Sequence, residues 1–536
     1  MKMNLASLND KAGWAAAGVT LPQYDVPAVI ANTKANPVWI HFGAGNIFRG
    51  FIGSLAQRML NAGVTDKGII AAETFDYGII TDIYDPYDNL TLNVTLNADG
   101  SFGREIQAGI VEGIQVDSTN PAMMARMKEI FTNPGLQMIS FTITEKGYAL
   151  RRVDGSLMPV VVADMKEGPA SARHAMSIVC AMLLERYNAG KYPLAVVSMD
   201  NCSHNGEKLQ ASVMEVANAW LANGFVGQDF IDYLTDESTI TFPWSMIDKI
   251  TPRPAPVVQE ALEASGIEDI APVKTAKGTF IAPFVNAERP QYLVIEDKFP
   301  NGRPPLEKAG VYFGDRDTVN KSETMKVTTC LNPLHTAMSV YGCMLGYTLI
   351  ADEMKDPDIV ALIKRLGYVE GLPVVVDPKI LSPKAFIDEV VEERLPNPFM
   401  PDTPQRIATD TSQKVPVRYG ETIKSYIKNG MDLSNLVSIP LAIAGWMRYL
   451  LGVGDDGQPI EVSDDPMKAD IQAKLAGIKV GDPASYHGEL KEILANPVLF
   501  GTDLTQTVLA DKIEEMFVSE LAGPGAVRAT LQKYLA

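Results

Sequence analysis

The sequence predicts an α/β protein, with a doubly wound parallel sheet in the first half of the chain and a mostly α-helical second half. Three observations lead there. Strand-like and helix-like patterns alternate through the first half, as in a parallel sheet covered on both faces. A glycine loop, Gly43-Ala44-Gly45, stands between the first predicted strand and the first predicted helix. After Phe299-Pro300-Asn301-Gly302-Arg303-Pro304-Pro305, a stretch of linker composition, the pattern turns helical over residues 322–536. The domain boundary is placed near residue 310, dividing the chain into residues 1–310 and 311–536. A length of 536 residues suits two large domains or several ordinary ones, and is ample for a large buried core.

The elements follow in order. Residues 37–42 read as a strand, and residues 46–62 as a helix with Phe51, Leu55 and Met59 on one face and Gly63 at its end. Residues 68–72 are a second strand. Residues 91–97 alternate like an exposed strand, and Asp99-Gly100 signals a hairpin turn. Residues 137–144 and 194–199 are further strands with a helix over residues 171–187 between them, and residues 291–295 are the last strand of this half. In the second half, the uncharged run 336–351 is too short to span a bilayer and reads as a buried helix.

Composition narrows the function classes. Asp plus Glu total 65 against 47 Lys plus Arg, a net charge of −18, which argues against a nucleic-acid groove. The apolar fraction of 46% and charged fraction of 21% exclude disorder and a collagen-like chain. Cys180, Cys202, Cys330 and Cys343 form no CxxC pair and read as buried free thiols in a reducing compartment. The five histidines lack zinc-ligand spacing, so no metal is expected. Residues 1–14 lack the basic and apolar regions of a signal peptide, so a cytoplasmic protein with no membrane partner is expected.

The glycine loop sits in the strand–loop–helix context of a Rossmann-like dinucleotide site. Gly43 would permit the tight turn, and Gly45 would let the backbone approach a pyrophosphate. The amides opening the helix at Asn46 would face the phosphates. Phe48 stands where the usual third glycine falls. An acid at the end of the second strand accepts from the ribose hydroxyls, and Glu73 fits that place, with Asp76 as a second candidate. A carboxylate there would repel a 2′-phosphate, which favours NAD over NADP. The bland alternatives are an ordinary glycine turn and a surface acid.

A second cluster is Glu323-Thr324-Met325-Lys326-Val327-Thr328-Thr329-Cys330-Leu331-Asn332-Pro333-Leu334-His335. A partly desolvated lysine has its charged form disfavoured, which brings it toward the range of a general base. An asparagine offers donors to a developing oxyanion. Taken singly, Lys326 reads as a solvated lysine and His335 as a core histidine.

Several ordered motifs resemble the polyol-specific long-chain dehydrogenase family, which includes mannitol 2-dehydrogenases and hexuronate reductases. They are Leu21-Pro22-Gln23-Tyr24-Asp25 before the glycine loop, Thr142-Ile143-Thr144-Glu145-Lys146-Gly147-Tyr148, and Asp200-Asn201 followed by Asn205-Gly206. Asp248-Lys249-Ile250-Thr251-Pro252, Val294-Ile295-Glu296-Asp297, the Lys326…Asn332…His335 segment and the stretch from Arg406 through Asp410 and Ser412 to Lys414 complete the set. The resemblance implies that Lys326 is the general base, and that Asn201 and Asn332 hold the oxygen as it becomes an alkoxide. It implies that His335 hydrogen-bonds that oxygen or a neighbouring hydroxyl, and that Asp248, Arg406 and Lys414 lie near the substrate. Gly43, Gly45, Asn46, Glu73, Thr144 and Glu145 would hold NAD, without a metal.

Two departures stand out. This chain has one more residue than is usual in the family between Lys326 and both Asn332 and His335, and it has Pro333 after the asparagine. At about 100° per residue, the nine steps from Lys326 to His335 would put them on opposite faces of a straight helix. A break or π-bulge near residues 330–332, with Asn332 capping a new helix and Pro333 at its first position, would absorb the extra residue. The expected reaction is interconversion of D-fructuronate and D-mannonate, with Arg406 and Lys414 able to pair with a sugar-acid carboxylate. Mannitol, arabinitol and tagaturonate are the alternative substrates. A catalytically inactive NAD-binding sensor is the alternative of another class.

Overall fold

The structure is a computed structural model describing residues Met1–Ala536. Met1–Asn97 with Ser101–Asn320 form one compact unit, and Lys321–Ala536 with Ala98–Gly100 form the other.

The first unit is built on six strands: β1 (Trp39–Phe42), β2 (Ile69–Glu73), β3 (Ile110–Gln115), β4 (Met138–Phe141), β5 (Leu194–Ser198) and β6 (Ile240–Thr241). They run in the order β3-β2-β1-β4-β5-β6, every neighbouring pair parallel. The sequences Trp-Ile-His-Phe, Ile-Ile-Ala-Ala-Glu, Met-Ile-Ser-Phe and Leu-Ala-Val-Val-Ser are buried along their whole length, as expected when helices cover both faces. Alternation along β1 sends Ile40 and Phe42 into one apolar layer and Trp39 into the other. The first layer is closed by residues of the helices Pro121–Thr132, Ala175–Gly190 and Asn205–Ala222, and the second by the helix Gly53–Asn61. Strand order reverses between β1 and β4, so a crevice opens beyond their carboxyl ends.

Two smaller three-stranded sheets flank this core. Thr91–Leu96 pairs antiparallel with Phe102–Gln107, closing the predicted hairpin, and parallel with Phe284–Glu288. The expected exposure of the 91–97 strand is not found. Its polar face is taken up by the neighbouring helix, where Arg49 Nε donates to Thr91 Oγ1 at 3.3 Å and Asn93 Nδ2 to Ser54 Oγ at 3.1 Å. The strand expected at 291–295 is Tyr292–Glu296. It lies outside the main sheet, between Ser245–Asp248 and Tyr312–Gly314.

The second unit is helical. Its centre is the helix Asn332–Met344, buried from Thr336 onward and packed on Ser438–Tyr449 and Pro357–Lys364. Ser438–Tyr449 begins over Glu370, whose carboxylate accepts from the amides of Val437, Ser438 and Ile439 at 2.9, 2.6 and 3.0 Å, satisfying its orphan donors. Tyr341 ties three helices together, its hydroxyl within hydrogen-bond reach of both Leu441 O and Glu520 Oε1, each at 2.8 Å. No helix is long and apolar enough to cross a membrane.

Candidate active site

The glycine loop leaves β1 with Gly43 at φ 102°, and a Cβ there would lie 2.3 Å from the carbonyl oxygen of Thr142. Glycine is required because this turn passes directly over the end of β4. A Cβ on Gly45 would meet nothing within 4 Å, so its backbone faces open space. The helix starts at Asn46, as predicted, and passes through a π segment, Phe48–Ile52, before Gly53–Asn61. Phe48, which replaces the third glycine, stacks on His41 at 4.5 Å between ring centroids. His41 is a satisfied core histidine, bonded to Ser140 Oγ at 2.7 Å and Thr142 Oγ1 at 2.8 Å. Burial lowers its pKa well below the usual value, so it stays neutral.

A cavity of about 250 Å³ opens beyond β1, β4 and β5, lined among others by Ile47, Thr144, Glu145, Asn201 and Lys249. Its shape depends on Asp200. That carboxylate accepts from the amides of Ile143 and Thr144, each at 2.9 Å, and from the Tyr148 hydroxyl at 2.5 Å. It thereby holds Thr144 in a left-handed conformation, φ 63°, which a β-branched residue adopts only under constraint. Asn205 is buried and links this corner to the next motif, its Nδ2 donating to Asp200 O at 3.0 Å and to Ser245 O at 3.1 Å. Three motifs far apart in sequence thus form one hydrogen-bonded corner, and Asp248 ends the strand that the corner fixes.

Glu73 has a use the sequence did not reveal. Its Oε2 accepts from Ala44 N at 2.9 Å, and its Oε1 accepts from the amides of Phe75 and Asp76 at 2.8 and 3.1 Å. The carboxylate braces the glycine loop from the end of β2. Asp76, the second candidate, is buried and accepts from Thr275 Oγ1 at 2.6 Å.

In the second unit, Lys326 is buried, 5% exposed, and opens a π segment, Lys326–Cys330. Leu331 N donates to Lys326 O at 3.1 Å, an i→i+5 bond, and His335 N then donates to Leu331 O at 3.1 Å, the first α-type bond of the next helix. The extra residue is therefore absorbed in one widened turn. With one residue's rotation removed, eight steps at about 100° leave Lys326 and His335 roughly 80° apart around the axis rather than opposed. The expected capping is shifted by one residue: Leu331 is the cap, Asn332 the first helical residue and Pro333 the second.

His335 is held neutral, with its pKa pushed down to about 4. Burial is the main cause, Asp402 opposes it, and Arg418, Arg406 and Arg394 add to it. Its Nε2 is buried without a hydrogen bond, 3.9 Å from Asp402 Oδ2. Arg406 is largely exposed and pairs with Asp402. The Lys414 amine donates to the carbonyls of Ile407, at 2.8 Å, and Thr409. Burial first, then Arg418, bring Lys414 down to about 8. Arg418, which the sequence reading missed, reaches Asn332 O at 3.3 Å and Thr336 Oγ1. Its one signal was its place four residues after Lys414.

Two family models match this chain. The mannitol dehydrogenase Rossmann domain covers residues 38–308, and the mannitol dehydrogenase C-terminal domain covers residues 318–519. The chain belongs to the mannitol dehydrogenase family. A D-mannonate oxidoreductase of Thermotoga maritima is 51% identical over 536 residues, 99% of each chain. A mannitol 2-dehydrogenase of Pyrenophora tritici-repentis is 30% identical over 90% of this chain and 78% of its own. Among solved structures, a D-sorbitol dehydrogenase in substrate-free form matches with TM-score 0.78 at 25% identity, covering 96% of this chain and 98% of its own. The Pseudomonas fluorescens mannitol 2-dehydrogenase ternary complex with NAD and D-mannitol matches with TM-score 0.66 at 25% identity, over 100% and 99% of the two chains.

The first unit fits the nicotinamide cofactor of such a family member. The loop is braced by Glu73 through the Ala44 amide, Gly45 leaves the approach open, and Asn46 carries a buried Oδ1 with no partner in the protein. No group of three or more His, Cys, Asp and Glu side chains is arranged to hold a metal ion.

Proposed function

We propose that this protein is an NAD-dependent oxidoreductase that interconverts D-fructuronate and D-mannonate by hydride transfer. The observation that carries the reading is the 51% identity to a D-mannonate oxidoreductase over essentially the whole of both chains. Bound nicotinamide supplies the hydride acceptor or donor; the protein supplies position and electrostatics.

Gly45 and Asn46 present backbone amides to the pyrophosphate, Gly43 makes the tight turn below them with its own amide donating to Ala72 O at 2.8 Å, and Glu73 braces the loop through Ala44 while reaching the ribose. Thr144 and Glu145 line the nicotinamide end, and Asn201 supplies a carboxamide beside it. Lys326 takes the alcohol proton on oxidation and returns it on reduction, a role supported by its burial and by the π turn that rotates it toward His335. Asn332 and the neutral His335 donate to the developing alkoxide. Asp248, Arg406 and Lys414 lie near the substrate. The reading includes a cytoplasmic location and a small-molecule substrate with no nucleic-acid or membrane partner; the net charge of −18 supports the lack of a nucleic-acid partner.

A second reading, polyol oxidation, is favoured by the D-sorbitol and mannitol dehydrogenase neighbours. Consumption of reduced nicotinamide with D-fructuronate, D-tagaturonate and D-fructose separates the two. D-Fructuronate is expected to give the highest kcat/KM. Turnover of D-fructose alone would establish the polyol reading instead. Binding of reduced nicotinamide with no turnover of any of the three would leave the sensor.

A further inference from the structure

We infer that Arg418 is the residue that binds the substrate carboxylate and so selects sugar acids over neutral polyols. The inference rests on the D-mannonate reading and adds a specificity residue to it. The two cations that sequence pointed to, Arg406 and Lys414, are otherwise engaged. Arg406 is mostly in water and is neutralised by Asp402, and Lys414 is tethered to two backbone carbonyls. Exposed, paired cations contribute little to discrimination.

Arg418 differs on each count. It makes no ion pair, and burial lowers its pKa to about 10, the mark of a guanidinium removed from water without a carboxylate to offset the loss. Only Nη1 is used, toward Asn332 O and the Thr336 hydroxyl, and Nε and Nη2 make no hydrogen bond. Those two nitrogens form the edge of the fork that receives a carboxylate in bidentate fashion. The fork is also fixed. Arg418 lies in the π segment Pro416–Gly420, and the next residue, Tyr419, donates to Pro333 O at 3.3 Å. Residues 418 and 419 together grip the first turn of the helix that carries Asn332 and His335. Because Nη1 bonds the carbonyl of Asn332 itself, a carboxylate on the free edge would lie in the same segment as the side chains proposed to address the substrate oxygen. Asp402 is the one acid beside His335, and its pairing with Arg406 removes its repulsion of such a ligand.

The test uses the full-length protein with NADH and D-fructuronate. Arg418→Gln is expected to raise the KM for D-fructuronate and the inhibition constant of D-mannonate about 100-fold together. The KM for NADH and inhibition by D-mannitol should change less than about twofold. Arg418→Lys, which keeps the charge and loses the fork, should fall between, about 10-fold. A loss confined to kcat with KM unchanged would show that Arg418 only positions Asn332 and would overturn the inference, as would an equal weakening of D-mannitol and D-mannonate. Failure of the wild-type protein to reduce D-fructuronate is a separate result and breaks the functional reading itself.

Discussion

The cofactor edge of the first unit and the Lys326–His335 segment of the second solve opposite problems. At the proposed cofactor edge, side chains hold the backbone that would meet the ligand. Glu73 braces Ala44, and Asp200 braces Ile143 and Thr144. In the Lys326–His335 segment the roles are reversed, and the backbone holds the side chains that the proposed mechanism uses. Lys414 is tethered to carbonyls, Arg418 to Asn332 O, and Lys326 is set in place by an i→i+5 turn. Acids are the braces on one side, and cations are gathered on the other. A chain with a net charge of −18 can therefore still build a locally cation-rich segment.

Substitutions probe the two regions separately. The largest effect is expected from Lys326→Ala. It should lower kcat about 1,000-fold while leaving the dissociation constant for NADH unchanged, read by stopped-flow absorbance and fluorescence titration. A smaller loss would move the proton-transfer role to another group, with Lys414 first in line.

Asp200→Ala tests the cofactor edge. It leaves the Ile143 and Thr144 amides and the Tyr148 hydroxyl without their acceptor. Denaturant unfolding should show a loss of about 3 kcal/mol, and NADH affinity should fall. Stability lost with NADH affinity unchanged would separate Asp200 from the cofactor site.

Glu520 tests the packing behind the catalytic helix. Burial raises its pKa from 4.5 to about 8 in the folded protein. Its folded value lies above its unfolded one. Its contribution to stability is therefore fully present below about pH 4.5 and is lost as pH rises toward 8. Glu520→Gln should flatten the fall in unfolding free energy over that range, an effect of a few kcal/mol. An unchanged pH profile would mean that Glu520 is ionised in the native state.

The smallest effect, and the cleanest, is expected from Gly45→Ala. The added Cβ meets no protein atom, so the melting temperature should hold. Because it enters the space reserved for the cofactor, NADH binding should weaken about 10-fold. Equal affinity would place the pyrophosphate elsewhere.

The same contrast explains what was legible in the sequence. The glycine loop, the parallel strands and the helical second half depend on local pattern, so Gly43, Gly45 and the 46–62 helix were readable directly. The burial of residues 91–94 was not, because it follows from Arg49 and Ser54 of a distant segment closing over the strand's polar face. Glu73 was placed at the right strand end, but its hold on Ala44 depends on how two loops meet. At Lys326 the surplus residue pointed to a break or π-bulge near residues 330–332; the structure has a π segment one turn earlier, at Lys326–Cys330, with the cap shifted to Leu331. Arg418 was missed because its position matters only once residues 416–420 fold against Asn332 and Thr336.

The most direct test of the central claim follows the hydride itself. Reduction of D-fructuronate by NADH deuterated at the transferring carbon should yield D-mannonate with one deuterium on its new carbinol carbon, detected by mass spectrometry, and Lys326→Ala should abolish the labelled product under the same conditions. Unlabelled D-mannonate, or no D-mannonate from the wild-type protein while D-fructose is reduced, would contradict it.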